Sequence, residues 1–238
     1  MKGRIPSAKD KSAQDLEEWE KTLYYERCAF IFEIPHIRST INGQTLCLTA
    51  GGVKSYHLDK LQGRKGTDEH FSLFIGFQNK VCTNMCIWTD GYSRRLGVKS
   101  LSELRLFVHK LLEHYNAGYH LHHLRSLADY SLNEQQFAHL IGKCRMYSHL
   151  SSDQKGGISP MLFGDSQLNQ VVRDYYQDDY FRCASKGDIS LWNLYNLFTG
   201  SNKSSYIDSF ADRSVNAFHF MESIRWSMEK QTHHWFLS

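Results

Sequence analysis

Between Phe74 and Tyr92 an apolar run carries Asn79, Lys80, Cys82, Asn84, Cys86 and Asp90, polar types that strand packing alone does not require. Cys82 and Cys86 are four residues apart, so on a strand their side chains would share a face. With His120, His122 and His123 downstream, a zinc site can be drawn. Structural zinc favours thiol pairs on knuckle turns with a matching second pair, so two buried thiols in a strand is the simpler reading. A Cys82 nucleophile would need an exposed, electropositive setting, whereas Val81 and Met85 flank it within the apolar run. Asp165, Asp174, Asp178 and Asp179 could hold a divalent ion, but such a string is also what a solvated helix face looks like. The chain contains no Gly-x-x-x-x-Gly-Lys-Ser/Thr loop, no His-Glu-x-x-His and no Gly-x-Ser-x-Gly elbow. On these grounds no catalytic residue, metal or cofactor is assigned.

Charge offers a different chemistry. The net charge is +3, but residues 1–99 hold 15 Lys and Arg against 11 Asp and Glu, while residues 100–238 hold 13 against 14. Arg64, Lys65, Lys80, Arg94 and Arg95, with Tyr92 among them, are the candidate nucleic-acid-binding residues: cations follow phosphates and exposed aromatics stack on unpaired bases. Phe71 and Trp88 are better read as core. The excess is modest, below the pI of about 9 that marks dedicated nucleic-acid domains. A second unusual run extends from Ser190 to Asp208, a helix followed by a Gly, Ser, Asn and Lys segment. Its bland reading is a capped helix and a loop; its sharper one is a partner or phosphate surface formed by Asn196, Thr199, Asn202 and Lys203.

The elements that must position these residues divide at about residue 99. Residues 1–99 read as β-rich: Cys28 to Ile34 stopped by Pro35, a hairpin at Asn42-Gly43, a bend at Gly51-Gly52, then Phe71 to Phe77 and Val81 to Trp88 joined through Gln78-Asn79. Four strands in a meander are the most economical arrangement. Residues 100–238 read as helical. Ser100 to Glu103 and Ser131 to Glu134 resemble capping boxes, Asn116-Ala117-Gly118 a helix stop, and Asp165-Ser166 a helix start. Further helices are expected around Leu191 to Phe198 and Arg213 to Glu229, with Ser151 to Pro160 as a hinge. Strands first and helices afterwards predict an α+β fold, an antiparallel sheet packed against a helical half in one compact domain. No run of about 18 apolar residues is present, which argues against a membrane partner, and six cysteines without a secretion signal suit reduced thiols in the cytoplasm.

The blocks Glu69 to Tyr92, Leu132 to Phe137, Leu162 to Asp165, Trp192 to Asp208 and Asp212 to Ala217 resemble, in order, domain-of-unknown-function family thirty-eight seventy-one. That is a family of uncharacterised proteins from chromosomes and integrative elements of Bacteroides-type bacteria. A looser likeness extends to a phage- and plasmid-associated group, in which Val81 to Asn84 and Leu191 to Thr199 look like the shared core. The resemblance implies a mobile-element setting and supplies no catalytic residues. It also implies a truncated or late-starting version, since family members begin well upstream of the position of Met1, which leaves the completeness of the first sheet open. The leading expectation is a non-catalytic accessory protein that binds nucleic acid, with single-stranded DNA the expected form. The alternatives are a protein–protein adaptor or defence antagonist, and a metal-dependent hydrolase or nuclease. Oligomeric state is left open.

Overall fold

The computed structural model describes residues 2–4, 27–54, 69–98, 100–177, 188–204 and 207–238. It is an α+β fold with the antiparallel sheet in the N-terminal half and helices in the C-terminal half. The sheet is a meander of β1 (Lys2–Arg4), β2 (Arg27–Ile41), β3 (Gln44–Lys54), β4 (Glu69–Asn79) and β5 (Met85–Val98), in that spatial order. Five strands are present where four were expected, because β1 pairs with the start of β2.

The Asn42-Gly43 hairpin forms as its residues dictate, with φ of 47° and 75°. Pro35 does not end β2. The strand passes through it at an irregularity between Ile34 and Arg38, where a residue without an N–H is tolerated. Nor does Gly51-Gly52 bend the chain: β3 runs straight to Lys54. Glycine is needed there for close approach. A Cβ on Gly51 would lie 2.5 Å from the Phe30 carbonyl oxygen and 2.5 Å from Phe74 Cζ. Gly51→Ala should therefore cost about 1–3 kcal/mol, as overpacking between strands does. A denaturation midpoint unchanged from the parent would contradict that.

The turn after β4 falls at residues 80–84, not at Gln78-Asn79. Asn79 N–H donates to the Asn84 carbonyl at 2.9 Å, and the Asn79 side-chain oxygen accepts from Val81 N–H at 3.0 Å. An Asx-type bond of this kind competes with the strand ladder and starts the turn two residues later than the apolar pattern suggests.

The helices are α1 (Leu101–His114), α2 (Ala117–Ser126), α3 (Glu134–Ser148), α4 (Ser152–Lys155), α5 (Asp165–Gln177), α6 (Leu191–Ser201) and α7 (Ile207–Lys230). Ser100 caps α1. Asn116 begins α2 rather than ending α1, its side chain accepting from Tyr119 N–H. The second capping box is shifted by two residues, to Asn133 and Gln136. That frees Ser131 and Leu132 to form β6, which pairs with β7 (Ile189–Ser190). The expected hinge holds α4, itself closed by a capping box from Ser151 and Gln154.

One buried cluster joins the two halves. It includes Leu46, Leu48, Phe77 and Cys86 from the sheet with Trp192, Tyr195, Phe198, Phe218 and Phe220 from α6 and α7. The chain end beyond α7 folds back, burying Phe236 against Phe220.

Candidate nucleic-acid interface

Helix α6 is buried on nearly every side, only Asn193 and Gly200 being half-buried, so it lies in the interior. Its polar residues turn inward with it. Asn196, Thr199 and Asn202 are buried, so they do not form the partner or phosphate surface expected of them. Burial of amide and hydroxyl groups calls for partners inside the protein, and each of these three side chains makes at least one such bond. The Asn196 side-chain oxygen accepts from Asn79 Nδ2 at 3.0 Å and from the Cys82 thiol at 3.5 Å. Its Nδ2 donates to the Trp192 carbonyl at 2.9 Å, and its own carbonyl accepts from Asn84 Nδ2 at 2.7 Å. Asn79 Nδ2 also donates to Gln44 Oε1 at 2.6 Å, an oxygen shared with Trp192 Nε1 at 3.1 Å. Thr199 bonds back to the Tyr195 carbonyl, and Asn202 Nδ2 donates to Phe210 O and Ser214 Oγ. Lys203 alone of the four is exposed, and its ammonium donates to the Cys82 carbonyl. The polar residues of the 80–84 turn and those of α6 are thus one lock, holding the β4–β5 turn onto the helical half.

Cys82 belongs to that turn and Cys86 to β5, so the two do not share a strand face. Burial pushes the Cys86 and Cys144 thiols up, away from the thiolate form. Among the described residues no group of three His, Cys, Asp or Glu side chains is gathered closely enough for a metal ion. Asp178 and Asp179 lie outside those residues.

His120 is fully buried among Phe77, Trp88, Tyr115 and Phe218. Its Nδ1 is 2.8 Å from the Tyr115 hydroxyl. Burial, reinforced by His123, pulls its pKa down to about 3, so it is neutral at ordinary pH. His123 pairs with Glu222 at 2.9 Å. Trp88 is packed against Tyr119, His120, His123 and Phe218, which is its core reading rather than a stacking platform.

The cations separate into two places. Lys80 stands at the end of the sheet where β4 turns into β5, with Nζ 2.6 Å from Glu33 Oε2. That contact, before the one from Cys47, holds the Glu33 carboxyl below its usual range. Arg94 stands toward the other end of β5, at about the level of Leu73 and Phe71. At about 3.3 Å per residue, Lys80 is roughly 25 Å away along the sheet and does not share a site with Arg94.

At the Arg94 end a transverse row crosses all five strands: Gly3, Cys28, Lys54, Phe71 and Leu96 are successive cross-strand partners. Lys2, Arg4, Arg27, Lys54, Arg94 and Arg95 are on that row or within two residues of it, with Glu69 the acidic residue so placed among the described residues. Arg64 and Lys65 lie outside the described residues, in the segment between Lys54 and Glu69. Composition alone did not single out Lys2, Arg4 and Arg27, because their proximity to Arg94 depends on strand register.

Arg94 is 58% exposed, and its Nε is 3.1 Å from Oδ1 of Asp212 on α7, a residue only 18% exposed. The same oxygen accepts from the Tyr92 hydroxyl at 3.0 Å. Burial first, and Asp212 second, push the Tyr92 phenol up, so it stays a neutral donor.

Fold and site together define an α+β protein with a meander sheet locked onto a helical layer, and with six lysine and arginine positions near one sheet end. Residues 1–237 match the family model described as "Domain of unknown function, B. Theta Gene description", DUF3871, and the chain belongs to that family. No curated protein and no solved structure matches it. No helix among the described residues is long and apolar enough to cross a membrane.

Proposed function

We propose that the protein is a non-catalytic, cytoplasmic nucleic-acid-binding accessory of a mobile element, with the cation-bearing end of the sheet as its binding face. The observation that carries this reading is the transverse row, which brings Lys2, Arg4, Arg27, Lys54, Arg94 and Arg95 to one end of five strands. Arg4 and Arg27 occupy directly opposed register positions at that end. The segment bearing Arg64 and Lys65 is joined to the same end at Lys54 and Glu69. The mobile-element setting rests on the family resemblance alone.

Phosphates, rather than stacked bases, supply the affinity in this reading, since Trp88 is packed and the Tyr92 hydroxyl is bonded to Asp212. Retention on single-stranded DNA should weaken steeply with salt, each lost phosphate contact reducing the log–log slope by about 0.7. Arg64→Ala with Lys65→Ala should weaken retention. Absence of any salt-sensitive retention ends the reading, and equal binding to duplex DNA ends its preference for single strands.

A protein partner is the second reading, favoured by the exposed Ile31, Phe32 and Ile37 of β2. It expects a stable complex in pull-downs from nuclease-treated extract. A complex lost on nuclease treatment counts against it.

A further inference from the structure

Resting on the nucleic-acid reading, we infer that Asp212 is an internal competitor for phosphate that holds Arg94 in the unbound protein and limits how tightly the sheet end takes a polyanion. Asp212 and Arg94 are unequally free. The carboxylate is mostly covered, belongs to α7, and is fixed from a second side by the Tyr92 hydroxyl on the same oxygen. The guanidinium is more than half exposed and held to Asp212 through Nε. A carboxylate and a phosphodiester offer a guanidinium similar anionic oxygens, and an arginine meets either through its planar fork of donors. An arriving phosphate must therefore share or displace Arg94 from a carboxylate that cannot swing away with it.

The magnitude follows from the exposure of the pair. Half-exposed ion pairs of this kind are weak, worth at most about a fivefold bias in a population. Asp212 thus moderates binding without abolishing it, and the effect must act through Arg94. Loss of one negative charge acting at long range would instead strengthen binding whether or not Arg94 is present.

The test is a double-mutant cycle of Asp212→Asn and Arg94→Ala, read as affinity for labelled oligothymidylate at low salt. Asparagine keeps the side-chain shape and an oxygen for the Tyr92 hydroxyl. Asp212→Ser is a second variant, with thermal unfolding to confirm that each folds. Asp212→Asn is expected to bind about three- to fivefold tighter than the parent, with most of that gain gone in the Arg94→Ala background. A parent that shows no salt-sensitive binding overturns the nucleic-acid reading and this inference with it. A parent that binds, with Asp212→Asn no tighter or equally tighter in both backgrounds, overturns the inference alone.

Discussion

Asn196→Ala is expected to lower stability by about 2–4 kcal/mol, far more than a polar residue in an exposed helix–loop surface would. The side chain accepts from Asn79 Nδ2 and the Cys82 thiol, and donates to the Trp192 carbonyl. Removing it leaves the Asn79 amide with Gln44 alone as acceptor and opens a space beside the buried Trp192. Thr199→Ala provides the contrast. Its hydroxyl bonds only to carbonyls of its own helix, at Tyr195 and Asn196, so its loss should cost well under half as much. Gln44→Ala should couple to Asn196→Ala non-additively, because both amides hold Asn79. The check is urea unfolding with the m-value unchanged. A midpoint shift for Asn196→Ala no larger than for Thr199→Ala would contradict the lock.

Stability should fall as pH drops from about 6.5 toward 3, at up to about 1.4 kcal/mol per pH unit from His120 alone. The sign follows from where protons bind. Burial holds the folded pKa near 3, so the folded state leaves this imidazole neutral across that window. The unfolded state, with an ordinary pKa near 6.5, takes up a proton there and is favoured by acid. The contribution is complete above the unfolded pKa and is lost progressively as pH falls from there to the folded pKa. His219 and His234 are lowered in the same direction, also chiefly by burial, and add to the trend. Glu33 and Glu229 are lowered too, but by their Lys80 and Arg225 partners, and their contribution is lost as pH falls through the carboxylate range. His120→Phe separates these causes. It is less stable at pH 7 because the Tyr115 hydroxyl loses its partner, but the gap between variant and parent should narrow steadily with acid. Parallel stability curves for the two proteins would contradict a buried neutral His120.

Much of the architecture is legible in local chemistry. Asn42-Gly43 turns because both residues tolerate positive φ, and Ser100 caps because its hydroxyl reaches Glu103 N–H. Other signals were present but pointed to more than one outcome. Val81 and Cys82 look like strand residues until the Asn79 side chain is seen bonded to Val81 N–H. Gly51-Gly52 marks either a bend or a close approach, and only the position of Phe30 and Phe74 decides between them. The α6 polar residues have a helical spacing that suggests one solvent face. The better signal was Leu191, Trp192, Leu194, Tyr195, Leu197 and Phe198, six apolar residues among eight, more than a single core-facing stripe needs. The cation row was not readable along the chain. It assembles positions from β1, β2, β3 and β5 that only strand register brings together, and the same register moves Lys80 away from them.

The most direct test compares two variants that each remove cations from opposite ends of one sheet. Affinity for single-stranded DNA is measured across a salt series for the parent, for Lys54→Ala with Arg94→Ala, and for Lys80→Ala. The expected result is weaker binding and a slope shallower by about 1.4 for the double variant, with Lys80→Ala indistinguishable from the parent. Equal loss from Lys80→Ala, or a parent whose binding does not respond to salt, would contradict a polyanion face at the Arg94 end of the sheet.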